Sequence, residues 1–166
     1  MSAVLDGQGR APDGAAMSRP PPPMQLALAE AVAAAARGEV PVGAVIVDVA
    51  GTVLAVAGNR VEELADPTAH AEMLAIRAAT RLKGEKALAD CDLYVTLEPC
   101  AMCAQAISLA RIRRLHFGAY DPKGGGVEHG ARVFDHPTCH HRPEVVGGIE
   151  ETRAGELLKS FFRERR

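Results

Sequence analysis

The chain lacks tryptophan, and aromatic residues make up only 4% of its 166 residues. Alanine, valine and leucine must therefore fill most of any hydrophobic core. Hydrophobic residues amount to 48% of the chain, which excludes a wholly disordered protein. The length is sufficient for one compact domain with a substantial core.

Long apolar runs and a strong net charge are also missing. No segment approaches the roughly 20 apolar residues of a transmembrane helix, and the first residues do not resemble a signal peptide. We therefore expect no membrane association. The formal net charge is -2, so a nucleic-acid partner would have to bind a local basic patch.

Cysteine is scarce, with four residues in the chain. Cys100 and Cys103 stand three positions apart, a spacing that is typical of metal ligands and not of a disulfide framework. Together with the lack of an export signal, this pattern predicts a protein of the reducing cytoplasm.

Helical and strand-like segments alternate after a beginning that is rich in proline and glycine. Residues 1–23 are predicted to form a flexible leader, and residues 24–166 a single domain. We predict helices over 24–37, 66–82, 100–110 and 150–163, and strands over 42–49, 52–57, 93–97, 114–120 and 144–147. An initial hairpin followed by alternating strands and helices indicates an α/β fold, a three-layer α/β/α sandwich with a five-stranded mixed sheet.

Two short motifs contain the residues of a catalytic zinc site. They are His70-Ala71-Glu72 and Pro99-Cys100-Ala101-Met102-Cys103. Both lie near predicted helix starts, where the helix dipole favours thiolate, the form that binds zinc. Thiols three positions apart share one helix face and reach the same metal. We predict one Zn²⁺ per subunit, held by His70, Cys100 and Cys103, with the fourth position left for water.

Glu72 is the carboxylate that this ligand set leaves over. Zinc lowers the pKa of water, and a proton acceptor must then stand beside that water. Glu72 is predicted to accept the proton and deliver it to a substrate. The alternative is a structural zinc site whose fourth ligand comes from Cys91, His116, His129, His136, Cys139, His140 or His141. That alternative gives Glu72 no role.

The order His-x-Glu followed by Pro-Cys-x-x-Cys is the signature of zinc nucleobase deaminases. Further matching segments are Glu39–Val45, Asn59, Asp66–Met73, Leu93–Cys103, Ala110–Ile112, Phe117–Ala119 and Asp121–Lys123. Over roughly residues 24–166, the chain resembles the bacterial tRNA-specific adenosine deaminase family, which has the cytidine-deaminase-like fold.

This resemblance implies hydrolytic deamination of adenosine to inosine at the wobble position of a tRNA, typically an arginine tRNA. It also implies a homodimer that binds the anticodon stem-loop near the subunit interface. The matching motif gives zinc to His70, Cys100 and Cys103, and the proton transfer to Glu72.

The resemblance further implies four substrate-binding residues. Asn59 would bond the flipped base, and the backbone N–H of Ala71 would position the attacking or product oxygen. Asp121 and Phe162 would contact the anticodon loop. The loop from Gly124 to His129 departs from the sequences of some relatives, which leaves the detailed RNA contacts open.

Several of these residues also suit plain structural roles. Asn59 follows a glycine and Asp121 precedes a proline, so both are typical of turns. Phe161 and Phe162 are adjacent and cannot share one helix direction, so we expect one in the core and the other toward a partner. Two basic clusters are either solvated surface or phosphate contacts: Arg111, Arg113 and Arg114, and Lys159, Arg163, Arg165 and Arg166.

Two other functions use the same metal site. One is a deaminase of free nucleosides, nucleotides or bases, against which the segment from Asp66 to Met73 and the C-terminal Phe-Phe-Arg sequence argue. The other is a zinc-stabilised RNA-binding module without catalysis, in which an intact Glu72 would be unnecessary.

Overall fold

The structure is a computed structural model that describes residues 22–166. Residues 1–21 of the predicted leader lie outside the described residues. Helix α1 spans Pro23–Ala36, with Pro22 at its N-cap. Proline suits the first turn of a helix, because the N–H that it lacks would have no partner there. Within 22–166, no helix is long and apolar enough to cross a membrane.

Five strands form one mixed sheet in the order β2-β1-β3-β4-β5. Strand β1 is antiparallel to β2 and β3, whereas β4 is parallel to both β3 and β5. The strands are Gly43–Asp48 (β1), Val53–Gly58 (β2), Cys91–Leu97 (β3), Arg114–Ala119 (β4) and Glu144–Val146 (β5). The predicted five-stranded mixed sheet is therefore confirmed.

Helices cover both faces of this sheet. They are α2 (Val61–Leu64), α3 (Ala71–Lys83), α4 (Ala101–Leu109) and α5 (Glu151–Glu164), and a short 3-10 helix covers Val133–Asp135. Helices α1 and α5 pack on one face, and α3 and α4 pack on the other. This arrangement is the predicted three-layer sandwich.

The alternation of side chains along β1 divides the core into two layers. Val45 and Val47 pack with Leu28 of α1, whereas Ala44 and Ile46 pack against the side of α3 and α4. Successive residues of a strand point to opposite faces, so β1, which is buried over residues 43–47, supplies both layers.

The start of α3 differs from the prediction, which placed it at Asp66. The Asp66 carboxylate instead accepts hydrogen bonds from the backbone N–H and the hydroxyl of Thr68, at 2.8 and 2.7 Å. It therefore closes a local turn, as Asp side chains often do. The helix begins only at Ala71, and this delay leaves His70 at the N-cap.

Helix α1 approaches strand β1 most closely at Gly43. A Cβ atom at this position would overlap the carbonyl oxygen of Ala27 and the backbone nitrogen of Ala31. The contact is therefore made between main chains. Relief would require the helix to move away from the sheet.

We expect Gly43→Ala to lower the free energy of unfolding by about 1–3 kcal/mol, the usual cost of overpacking a well-packed site. Urea denaturation of the purified chain measures this change. Gly155→Ala is the matched control, because it makes the same chemical change in α5 with no atom within 4 Å of the new methyl group. We expect this control to raise the stability by about 0.5–1 kcal/mol. Equal stability of the two variants would contradict the packing argument.

Candidate active site and metal centre

Helices α3 and α4 begin beside each other at one end of the sheet, near the C-terminal end of β3. His70 is the N-cap of α3, and Cys100 is the N-cap of α4, both in extended backbone conformation. Cys103 lies in the first turn of α4 and is fully buried. The turn after Asp66 precedes the start of α3, and β3 ends at Leu97 shortly before the start of α4. The two helix starts therefore lie side by side.

The three predicted ligands face one another. His70 Nδ1 lies 3.6 Å from Cys100 Sγ and 3.5 Å from Cys103 Sγ. Zinc bond lengths and tetrahedral angles give about 3.5 Å between a nitrogen and a sulfur ligand, so the donor set fits Zn²⁺. All three donor atoms lie within 4.8 Å of one another, and no fourth His, Cys, Asp or Glu of residues 22–166 joins the group. This count disfavours a structural zinc site with four protein ligands.

The thiols are prepared for metal binding. A hydrogen bond from Cys103 lowers the pKa of Cys100 to about 4, with burial opposing the shift and His70 assisting it. The same hydrogen bond, together with burial, raises the pKa of Cys103. The pair therefore favours one thiolate at Cys100, and a metal ion that binds here displaces the remaining proton.

Glu72 stands in the first turn of α3, beside the ligands. Its side chain is buried, and it borders a cavity of about 690 Å³ that His70 and Cys100 also line. Burial raises the pKa of the Glu72 carboxyl to about 7, although its own backbone N–H and His70 oppose the shift. The structure thus places a carboxyl group with a pKa near neutrality in the same cavity as two of the candidate metal ligands, His70 and Cys100.

Asn59 follows β2 and is buried where that strand leads toward the cavity. Its side-chain Oδ1 accepts a hydrogen bond from the backbone N–H of Ala71 at 2.8 Å. This bond fixes the amide group at the cavity wall. The predicted contacts of Asn59 with a base and of the Ala71 N–H with an oxygen stay predictions.

Asp121 also lines the cavity, on the loop that follows β4. Its Oδ1 accepts hydrogen bonds from the N–H groups of Lys123 and Gly124, at 3.2 and 2.9 Å. Asp121 therefore has the structural role in a turn that its position before a proline suggested. The same residue also lines the cavity.

The two adjacent phenylalanines of α5 point in different directions. Phe161 is 7% exposed and lines the cavity, whereas Phe162 is 50% exposed. Arg165 covers the Phe161 ring, with its guanidinium carbon 3.8 Å from the ring centre. Phe162 belongs to a second cavity of about 730 Å³, the basic groove, lined by Lys123, Leu158, Lys159, Phe162, Arg163, Arg165 and Arg166.

The other predicted basic cluster lies at the opposite end of the sheet. Arg113 forms a two-pronged ion pair with Asp92, with both distances 2.9 Å, and Arg114 pairs with Glu144 at 2.9 Å. Two of the three charges of this cluster are thus paired within the chain, whereas the exposed Arg111 forms no ion pair with the described residues. The C-terminal cluster remains beside the cavity.

Sequence reasoning missed two buried carboxylates of the cavity. Glu39 accepts hydrogen bonds from the N–H groups of Glu62 and Glu63, which hold the start of α2. Glu98 accepts hydrogen bonds from the loop that follows Asp121. Each of these carboxylates binds main-chain N–H groups more than 20 residues away in sequence. The only local sign of such a role is an acidic residue beside apolar neighbours.

The fold and this site define a class of zinc-dependent deaminases. The sequence model of the family described as the cytidine and deoxycytidylate deaminase zinc-binding region matches residues 21–119, more than half of the chain. This match, together with the donor set, confirms the prediction of a zinc cofactor.

Within that class, the chain belongs to the tRNA-specific adenosine deaminase family. It is 58% identical to the tRNA-specific adenosine deaminase of Agrobacterium fabrum over 143 residues, which cover 86% of this chain and 93% of that protein. The corresponding protein of Aquifex aeolicus is 50% identical over 144 residues, with the same coverage. A solved structure from studies of A-to-I editing by tRNA:A34 deaminases superimposes with a TM-score of 0.80 at 57% identity, and covers 82% of this chain and 98% of that one.

We expect Glu72→Gln to retain one zinc per chain and to lose deaminase turnover by a factor of roughly 10²–10⁴, the contribution typical of one acid–base group. Turnover and zinc content, measured on the same preparation, separate the two effects. Glu85→Gln, an exposed carboxylate outside the cavity, is the control and should keep both. Substantial turnover in Glu72→Gln would remove this residue from proton transfer.

Proposed function

We propose that this protein deaminates adenosine to inosine in tRNA, by zinc-dependent hydrolysis at the wobble position. The observation that carries the proposal is a cluster of three candidate zinc donors, two of which line one cavity together with a buried carboxyl group and an amide. The family membership supports adenosine in tRNA as the substrate.

The proton transfers are assigned to Glu72. When bound by His70, Cys100 and Cys103, zinc supplies Lewis-acid chemistry that makes water a nucleophile near neutral pH. Glu72 accepts one proton of that water and delivers it to N1 of the purine as the water oxygen adds to C6. It then transfers the second proton of that water to the C6 amino group, which leaves as ammonia while C6 becomes a carbonyl. Burial shields this carboxylate from bulk solvent, which keeps the proton within the site.

Recognition of the base is assigned to Asn59. Because its Oδ1 accepts the Ala71 N–H, its amide NH₂ group is the part that remains available to donate to a ligand. An NH₂ donor suits the acceptor nitrogens of a purine ring. A base reaches this depth only after it leaves its stack, which is the known requirement for chemistry on a nucleobase.

The basic groove favours an RNA substrate over a free nucleoside. It shares Arg165 with the catalytic cavity, so a strand whose base enters the cavity has its backbone near the groove. Exposed Phe162 offers a ring for stacking an unpaired base, and the surrounding Lys and Arg side chains suit phosphates. A free nucleoside would use neither.

Three finer features belong to the same proposal. The substrate segment is the anticodon stem-loop, with Asp121 and Phe162 beside the target nucleotide. The protein acts as a homodimer, and it acts in the cytoplasm, where tRNA is processed. Size-exclusion chromatography with light scattering tests the dimer directly.

The central test compares substrates. We expect the zinc-loaded protein to form inosine in an arginine tRNA that carries wobble adenosine, and to leave free adenosine, cytidine and guanine essentially unchanged. The same tRNA with guanosine at the wobble position is the matched control. Turnover of a free nucleoside or base, with none on tRNA, would instead establish a deaminase of free nucleosides, nucleotides or bases. No turnover of any substrate by fully zinc-loaded protein would favour the RNA-binding module.

We also expect tRNA affinity to fall steeply with salt, because the basic groove would displace counterions from phosphates. If about three or four phosphates are neutralised, the slope of log affinity against log salt is roughly -2 to -3. Arg163→Gln should flatten that slope by about one, whereas Arg81→Gln on the exposed side of α3 should not. Salt-insensitive binding would contradict the assignment of the groove.

A further inference from the structure

We propose that Glu98 and His129 are positioning residues that hold the cavity loop, residues 121–129, in the conformation that receives the tRNA. The inference rests on the proposed function and deepens it. Neither residue is placed among the metal ligands or the proton-transfer groups. Their effect on the substrate is transmitted through the loop.

The Glu98 carboxylate binds the cavity loop at both of its ends. Its Oε1 accepts hydrogen bonds from the N–H of Asp121 at 3.2 Å and from Nδ1 of His129 at 2.8 Å. Its Oε2 accepts the N–H groups of Val127, Glu128 and His129 at 3.1–3.3 Å. One buried side chain therefore collects five donors from one loop.

This arrangement requires a carboxylate. Glu98 is 2% exposed, and a buried negative charge is stable only when hydrogen-bond donors surround it. A carboxylate offers two acceptor oxygens, whereas an amide would turn one of them into a donor that faces other N–H groups. The close fit adds to this, because a Cβ at Gly125 would overlap Glu98 Oε2.

The cavity loop joins the substrate side to the metal side. Asp121 and Gly124 line the catalytic cavity, and Lys123 lines the basic groove. The N–H of Gly126 donates to the carbonyl of Pro99, the residue before Cys100, at 2.8 Å. This main-chain hydrogen bond holds the part of the loop next to Cys100 independently of Glu98. A shift of the loop would therefore change the proposed tRNA-binding surface around Asp121 and Lys123 first.

His129 controls the orientation of the Glu98 carboxylate. Its ring shares Oε1 with the Asp121 N–H, and it meets the ring of Tyr120 edge-on at 6.2 Å between centroids. Removal of the ring eliminates the shortest of the five hydrogen bonds and leaves Oε1 with the Asp121 N–H alone, at 3.2 Å, so the start of the loop is held less firmly. The backbone donors to Oε2 would remain, so the chain should still fold and bind zinc.

The test is the steady-state kinetics of His129→Ala on the arginine tRNA. We expect KM for tRNA to rise about tenfold or more, the factor that corresponds to one lost hydrogen bond to a charged group. The value of kcat and the zinc content should stay as in the wild type. His129→Asn should restore KM, because its amide N–H can occupy the position of Nδ1. His140→Ala, an exposed histidine outside the loop, is the control.

Several outcomes would overturn the inference. Unchanged kinetic constants in His129→Ala, with or without a lower Tm, would reduce the pair to a stabilising contact. Loss of zinc with loss of kcat would place its effect on the metal site. Failure of His129→Asn to recover KM would exclude the hydrogen bond as the cause. Glu98→Gln should raise KM further than His129→Ala, and a smaller effect would also contradict the proposal.

The wild-type protein separates this inference from the proposed function. If the wild type fails to deaminate tRNA, the proposed function falls, and this inference falls with it. If the wild type is active and His129→Ala matches it, only the inference is rejected.

Discussion

The meeting of two helix N-termini is the constraint on which the rest of the site depends. His70 and Cys100 are 30 residues apart, and each occupies the N-cap of its own helix. Along the chain, β3 connects α3 to α4. The donor atoms meet because β3 ends at the same end of the sheet at which α3 begins. The cavity, the buried carboxylates and the cavity loop are all arranged around that junction.

Two glutamates at this junction show how surroundings decide the task of a carboxyl group. Burial dominates at Glu72 and raises its pKa, so the group is able to exchange a proton. Burial also acts to raise the pKa of Glu98, but hydrogen bonds from His129 and from the N–H groups of Asp121, Val127 and His129 outweigh it, and the net pKa lies below the ordinary value. The same residue type thus has a pKa near neutrality in one place, and in the other place it is held as a carboxylate by the loop that it binds.

The sequence predicted what depends on local pattern. The strands, four of the helices and the choice of His70, Cys100 and Cys103 as a candidate ligand group follow from periodicity, residue type and spacing, because each signal lies within a few neighbouring residues. The true start of α3 was missed, since the choice of Asp66 between capping a helix and closing a turn depends on the chain around it. Glu39 and Glu98 were missed because their partners are main-chain N–H groups distant in sequence, which no side-chain pattern records.

Tyr120 gives the cavity loop an optical property of its own. The chain has no tryptophan and only two tyrosines, so its near-ultraviolet emission comes from Tyr94 and Tyr120. Tyr94 is stacked face to face on His116 within the sheet, at 4.3 Å between ring centres. Tyr120 instead meets Phe117 edge-on and faces His129. One of the chain's two tyrosines therefore stands beside the loop that carries Asp121, and a rearrangement of that loop would change tyrosine emission without any attached dye.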